Sequence, residues 1–181
     1  IMRDILELSG RMATDSAEGH EMPEGLTART YVAETNREMF SDIIGEPLDD
    51  ATQSELEDAI LYMLFPNTQI WTGYHGNIVY RFLPNGDDHN SCILETMILM
   101  RYEKGTKKPD PAEKNILRPD QAFSEAPEIG GPGPVFDQDD SNMAAVQKGM
   151  IASKKGAVSL ASYQESRIRH LHQTIDKYLN A

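Results

Sequence analysis

Three carboxylates crowd together just before an apolar helical pattern in the segment VFDQDDSNMAAVQKGM, residues 135–150. They belong to Asp137, Asp139 and Asp140. Charged side chains normally stay in water, so a carboxylate that points into a protein needs a partner. It must cap a helix, pair with a cation, take up a proton or bind a metal ion. The side chains that share a helical face with each aspartate therefore indicate its chemistry.

Asp139 opens the apolar face of the predicted helix, because the residues 4, 7 and 11 positions further on return to its side. Asp140 leads instead to a more polar face, and Asp137 stands where an N-cap residue would stand. In the simplest interpretation all three acids cap the helix and favour its positive end. In the alternative, the carboxylate of Asp139 binds a metal ion or takes part in catalysis. The apolar residues of its face are Met143, Val146 and Met150.

The composition is that of one soluble domain. The chain has 181 residues, of which 39% are hydrophobic and 25% charged, and its formal net charge is −12. This acidity argues against binding to nucleic acid or to an anionic membrane surface, and no apolar run approaches the roughly 20 residues that span a bilayer. The single Cys92 excludes an internal disulfide and fits a reducing, cytoplasmic compartment. The start lacks a signal-peptide pattern, and Ile1 as the first residue indicates a fragment.

Helical patterns come before the predicted sheet. Residues 1–12 predict a short amphipathic helix, and residues 13–28 a loop. A second helix is expected from about Ala33 to Ile44, and a third begins where Thr52 and Glu55 have capping-box spacing. The residues expected inside the second helix are Met39, Ile43 and Ile44. The apolar stripe of the third helix is Leu56, Ala59, Ile60, Met63 and Leu64, with Pro66 as its stop.

Three β-rich runs separated by turns then predict an antiparallel meander over residues 67–72, 78–83 and 91–102. Residues 103–134 form an irregular excursion, because they hold six of the ten prolines and end in GGPGP. Two helices close the chain, at about 137–152 and 162–179, and Ser162 and Glu165 have capping-box spacing at the second. Its expected buried stripe is Ile168, Leu171, Ile175 and Leu179. Helices laid on one face of a curved antiparallel sheet define the α+β class.

Four stretches, in this order along the chain, resemble the Rieske-type ring-hydroxylating oxygenases, in the catalytic domain of the alpha subunit. FPNTQIW, residues 65–71, is similar to the family's segment that enters its sheet, and VYRFLPNGDD, residues 79–88, to the strand and turn that follow. FDQDDSNMAAVQKGM, residues 136–150, resembles the family's C-terminal signature, and residues 162–179 resemble its closing helix. The resemblance covers about residues 60–179.

The resemblance implies a helix-grip fold of the START/Bet v 1-like kind, in which a curved antiparallel sheet grips a long C-terminal helix. It also implies a mononuclear non-haem Fe(II) held by two histidines and one aspartate, with open positions for oxygen. The family's aspartate lies eight residues before a glutamine, and Gln147 places it here at Asp139. Asp140 is the alternative ligand, because some members carry a double aspartate.

The histidines of that triad are not found in their expected place. In the family they lie upstream on a helix, four or five residues apart, and none of the five histidines here forms that pair. The Rieske [2Fe-2S] motif is also absent, because it needs two cysteines and the chain has one. We therefore expect residues 1–181 to be a single, truncated catalytic domain without the Rieske domain and the histidine-bearing helix. Alone it should bind no iron tightly and be inactive. The histidines are His20, His75 and His89 in loops or turns, and His170 and His172 in the last helix.

Two functions follow from these patterns. In the first, the chain is part of an oxygenase that hydroxylates an aromatic or similarly apolar substrate, with electrons from a Rieske cluster. The family implies a ferredoxin or reductase as electron-transfer partner and a homo-oligomer, usually a trimer. In the second, a metal-free helix-grip module binds a small hydrophobic ligand. A third interpretation, an interaction protein that works through its acidic surface, has no specific feature in its favour.

Overall fold

The computed structural model describes residues 23–181; the helix predicted over residues 1–12 and His20 lie outside the described residues. The elements are α1 (Ala28–Ile44), α2 (Gln53–Glu57), β1 (Ile60–Leu64), β2 (Thr68–Thr72), β3 (Ile78–Pro84), β4 (Cys92–Ile98), a 3-10 turn (Phe123–Glu125), α3 (Gly133–Ala152) and α4 (Ser166–Leu179). The four strands form one antiparallel sheet in the order β1-β2-β3-β4. The predicted α+β class is confirmed, and a long helix near the C-terminus makes it consistent with a helix-grip-like fold.

The register of the sheet decides which side chains share a face. Gln69 on β2 pairs with Tyr80 on β3, and Tyr80 pairs with Thr96 on β4. Because side chains alternate along a strand, Trp71 lies on the same face, two residues beyond Gln69. This face, defined by Gln69, Trp71, Tyr80 and Thr96, is called the site face below.

The prediction of a helix over residues 52–64 was wrong beyond its first turns. The capping box between Thr52 and Glu55 is present, but α2 ends at Glu57 and the next five residues from Ile60 form β1. The segment ILYML is a continuous apolar run, which periodicity alone cannot assign to helix or strand. The segment is a strand because it pairs with β2. Every residue of β1 has a partner there, from Ile60 opposite Thr72 to Leu64 opposite Thr68.

Helix α1 begins earlier and buries a different face than predicted. The Thr27 side chain caps it by accepting a hydrogen bond from the Thr30 backbone, and Gly45 ends it in a left-handed conformation. Met39 and Ile43, expected inside, are more than one third exposed, because the helix turns Phe40 toward the sheet instead. The buried residues of α1 are Val32, Ala33, Asn36 and Phe40.

Buried contacts join α1 to the turn after α2. Leu56 is fully buried, and the side-chain amide of Asn36 donates to the Leu56 carbonyl at 3.0 Å and to the Glu57 carboxylate at 2.9 Å. Phe40 packs on the rings of Tyr74 and His75, at centroid distances of 5.6 and 5.0 Å. The helices before the sheet therefore pack against the β2–β3 turn, at one end of the sheet.

The two C-terminal helices differ from the prediction in their ends and in their burial. Helix α3 begins at Gly133, four residues before Asp137, and buries only Gly133 and Phe136. Helix α4 begins at Ser166, and the predicted capping box is not formed, because the Glu165 carboxylate accepts from the Ala161 backbone instead. The predicted buried stripe of α4 was wrong, since no residue of this helix is buried within the part of the chain that the structure describes. Its contact with the sheet side is Tyr178 against Phe65, at 4.9 Å between ring centroids.

Candidate functional site

Helix α3 contacts the site face through one aromatic residue. Phe136 is 4% exposed, and its ring meets the ring of Tyr80 edge-on, at 5.8 Å between centroids and 80° between planes. A second edge-on contact, also at 5.8 Å, joins Phe136 to Phe123 of the 3-10 turn. These contacts fix the first turns of α3 over the middle of β3.

Asp139 follows Phe136 by three residues and therefore lies on the same side of α3. The electrostatics agree with this placement, because the negative charge of Asp139 acts on the Tyr80 hydroxyl. The pKa of Tyr80 is raised, first by its burial and second by that carboxylate, since both disfavour the tyrosinate anion. Asp139 therefore lies on the side of α3 that faces the sheet.

The burial expected around Asp139 was wrong. Asp139 is exposed, and the apolar residues that follow it on α3 are also at least 40% exposed. The reason is that the buried part of α3 lies near its N-terminal end, at Gly133 and Phe136, whereas the later turns are exposed and reach the β3–β4 turn through a hydrogen bond of Gln147. The exposed residues are Met143, Val146 and Met150.

Asp137 caps a different helix from the one predicted. It sits inside α3, and its carboxylate accepts hydrogen bonds from the backbone N–H groups of Phe123, at 2.5 Å, and Ser124, at 3.3 Å. These groups open the 3-10 turn, where backbone donors lack partners of their own. The Ser124 side chain, together with the two backbone donors, lowers the pKa of Asp137. Asp137 is thus occupied by a structural role, whereas Asp140 is exposed and carries no hydrogen bond within residues 23–181.

The site face holds two polar atoms that sequence reasoning did not single out. The indole nitrogen of Trp71 and the hydroxyl of Thr96 are buried and have no hydrogen-bond partner within residues 23–181. A buried polar atom without a partner is costly and marks a place where a further polar group would be stabilised. Alternation in the predicted strands contained this signal, but assigning the face required the register around Tyr80.

The far end of α3 is tied to the turn between β3 and β4. The Gln147 side chain donates to the side-chain oxygen of Asn90 at 3.4 Å. Within the same turn, the Asp88 carboxylate accepts from the Asn90 backbone at 3.0 Å and from the Ser91 hydroxyl at 2.7 Å. Gln147, from which the position of Asp139 was counted, therefore helps to orient the helix that carries Asp139.

The described histidines do not gather around Asp139. His75, predicted to be solvated, instead packs its ring against Phe40 and has a buried Nε2. His89 is exposed in the turn after β3, as expected, and His170 and His172 are exposed on α4. Within residues 23–181, no three His, Cys, Asp or Glu side chains come close enough to hold one metal ion. The donor set of a two-histidine, one-carboxylate iron site is therefore not assembled by the described residues alone.

The described residues thus form an α+β domain, in which a four-stranded antiparallel sheet is covered by a helix that carries Asp139 on its sheet-facing side. The chain belongs to the family described as ring hydroxylating alpha subunit (catalytic domain), whose model matches residues 6–181. The match extends the resemblance seen over residues 60–179 to almost the whole chain.

Neither the curated proteins nor the solved structures with which the chain was compared include one that matches it. No helix within residues 23–181 is long and apolar enough to cross a membrane.

Proposed function

We propose that this chain is the greater part of the catalytic domain of an iron-dependent ring-hydroxylating oxygenase, with Asp139 as the carboxylate ligand of the iron. The observation that carries the proposal is the position of Asp139, one helical turn beyond Phe136 and close enough to Tyr80 to raise the pKa of its hydroxyl. Family membership supplies the reaction class. Of the three clustered carboxylates, Asp137 is committed to the 3-10 turn, and Asp139 is the one whose charge raises the pKa of Tyr80.

The imidazole ligands of this site would have to come from outside residues 23–181. Imidazole and carboxylate together suit a non-haem iron with open positions, and the iron would supply oxygen activation when bound. The chain's own residues would orient Asp139 through Phe136, and burial together with Asp139 would hold the pKa of Tyr80 above its ordinary value. The single domain over residues 1–181 would thus be a truncated unit, inactive until the histidine-bearing helix and the Rieske domain are present.

An aromatic or similarly apolar substrate is the proposed reactant. Trp71 and Tyr80 lie on the site face, and the Phe136 ring packs against Tyr80, which is the residue that the charge of Asp139 acts on. Rings of this kind hold an apolar ligand, while a few polar atoms fix its orientation. Electrons would arrive through the Rieske cluster of the missing domain, with a ferredoxin or reductase as the electron-transfer partner, in a cytoplasmic homo-oligomer such as the family's trimer.

The test is metal binding to the protein extended through its upstream coding sequence, beside the 181-residue chain. Each would be reconstituted under argon with ferrous iron, freed of unbound metal and analysed for iron per chain. The variants are Asp139→Asn and, as a matched control one residue away, Asp140→Asn. We expect stoichiometric iron in the extended wild type and in Asp140→Asn, loss of iron in Asp139→Asn, and little iron in the short chain.

Other outcomes decide against the proposal. Iron that is retained in Asp139→Asn but lost in Asp140→Asn would move the ligand to Asp140. Upstream sequence without cysteine–histidine and histidine pairs, with no iron in any variant, would favour the metal-free helix-grip module that binds a small hydrophobic ligand.

A further inference from the structure

An open cavity of about 420 Å³ lies where the C-terminal end of α1, the turn between β2 and β3 and the segment after β4 meet. This volume is within the usual range for small-molecule sites, about 300–1,000 Å³. In an antiparallel meander this turn is at the opposite end of the sheet from the β3–β4 turn, to which Gln147 is tied. The cavity therefore shares no residue with the candidate site at Asp139. Its lining includes Ile44, Tyr74, Met100, Arg101, Tyr102 and Lys108.

The guanidinium of Arg101 is held in place in the wall of this cavity. Its Nη2 donates to the carbonyls of Gly73, at 2.6 Å, and Gly76, at 3.3 Å. Its central carbon lies over the rings of Phe40 and Tyr74, at 5.7 Å from each centroid. A guanidinium has five N–H donors, and within residues 23–181 its Nη1 and Nε make no hydrogen bond. A fixed, half-buried cation thus keeps free donors.

Among the described residues, the cations of this cavity have no acidic partner, although the chain is strongly acidic. Within residues 23–181, neither Arg101 nor Lys108 forms an ion pair, whereas Arg29, Arg81 and Lys104 do. The formal net charge is −12, so carboxylates are abundant elsewhere. Two unpaired positive charges facing one concavity favour a negatively charged ligand there.

We propose that this cavity binds a small organic carboxylate with an apolar body. The carboxylate lies between Arg101 and Lys108, where the planar guanidinium offers it paired donors. The apolar body packs on Ile44, Met100 and the tyrosine rings. No bond is made or broken at this site, and its occupancy does not depend on the iron site proposed at Asp139.

The experiment is calorimetric titration of the full chain with three probes, namely hexanoate, its neutral counterpart hexanamide, and inorganic phosphate. We expect hexanoate to bind more tightly than either of the others, and binding to weaken as salt is added, because an exposed charge pair is screened. Lys108→Gln should weaken hexanoate binding by up to about fivefold, the upper end of the range for an exposed ion pair. Lys107→Gln, which removes the same charge from a neighbouring residue outside the lining, should leave binding unchanged.

Arg101→Gln should abolish hexanoate binding, but it also removes the hydrogen bonds to the β2–β3 turn. The comparison of Lys108→Gln with Lys107→Gln is therefore the decisive test. Equal binding of hexanamide would show that charge is not recognised and would overturn the proposal. Phosphate binding as tightly as hexanoate would show that the apolar body of the ligand is not recognised, and would overturn that part of the proposal. Equal weakening of hexanoate binding in Lys107→Gln would show that only the net charge of the protein matters, and this result would also overturn the proposal.

Discussion

The backbone of Ser124 passes so close to Gly133 that a Cβ atom on residue 133 would lie 2.8 Å from the Ser124 Cα. This approach brings the 3-10 turn within reach of α3, where Phe136 meets the Phe123 ring edge-on and Asp137 caps the turn. The glycine is thus required by packing between two backbones. Since Phe136 and Asp139 follow on the same helix, the contact also sets the start of the segment that carries the candidate ligand.

Gly133→Ala should destabilise the protein by about 1–3 kcal/mol, because the added methyl group meets backbone that cannot move aside cheaply. Gly149→Ala, in the same helix, is the matched control, since nothing lies within 4 Å of its Cβ position. It should stabilise by about 0.5–1 kcal/mol, the helix propensity difference between glycine and alanine. Urea unfolding measures both, and equal effects in the two variants would contradict the close approach.

Leu56→Ala should cost about 2–5 kcal/mol of unfolding free energy, because Leu56 is fully buried between α1 and α2 and its truncation leaves a cavity. Leu61→Ala, with a side chain 44% exposed on β1, should cost less than about 1 kcal/mol. Denaturant midpoints of the two variants, measured with unchanged unfolding slopes, check this ranking. A Leu61 variant as damaged as the Leu56 variant would show that β1 is covered in solution.

Residues 52–64 show which features of the fold could be predicted from the sequence. The capping box at Thr52 was predicted correctly because it is a local interaction within four residues. The strand that follows was taken for helix, since the run from Ile60 to Leu64 is apolar at every position and its state depends on pairing with β2. Local rules cannot report a partner strand that is specified elsewhere in the chain.

The candidate site shows the same contrast between local features, which the sequence predicts, and features that depend on distant parts of the chain. Helical spacing alone placed Asp139 on a different face from Asp140, and the structure directs Asp139 toward Tyr80. Spacing could not reveal that α3 starts four residues before Asp137, because Gly133 and Pro134 read as a break and the packing against Ser124 was not visible. Nor could it reveal which strand residues face α3.

Acid should remove the stabilisation that comes from the ion pair between Arg29 and Asp58. The guanidinium of Arg29, at 2.6 and 2.8 Å, lowers the pKa of Asp58 from 3.8 to about 2, with help from Ser54. A carboxyl with a depressed folded-state pKa stabilises the fold above its unfolded pKa and loses that effect as pH falls through the folded value. The stability gap between wild type and Arg29→Gln should therefore be constant above about pH 4 and shrink between about pH 4 and 2.

Urea unfolding at a series of pH values measures that gap. The control is Arg118→Gln, which breaks the exposed pair with Asp120 and should have little effect at any pH. A gap for Arg29→Gln that stays constant down to pH 2, or grows in acid, would mean that Asp58 is not held by Arg29.

The pKa of Tyr80 reports the position of Asp139 without any metal. Burial raises this pKa above its ordinary value of 10.0, and the carboxylate of Asp139 raises it further. Asp139→Asn should therefore lower the pKa of Tyr80 but leave it above 10.0, because the burial remains. Asp140→Asn, which removes the same charge one residue further along, should leave the pKa of Tyr80 unchanged.

The measurement is an NMR titration of ring-labelled tyrosine, with the Tyr80 signal assigned by its loss in Tyr80→Phe. Because the folded-state pKa is raised, stability falls as pH rises above 10.0, and this fall should be less steep in Asp139→Asn than in wild type. An equal decrease of the Tyr80 pKa in both aspartate variants would mean that the two carboxylates are equally near the sheet, and the choice of Asp139 as ligand would then lose its physical basis. A decrease confined to Asp139→Asn places one carboxylate over the site face, which is the geometry that a metal ligand at this position requires.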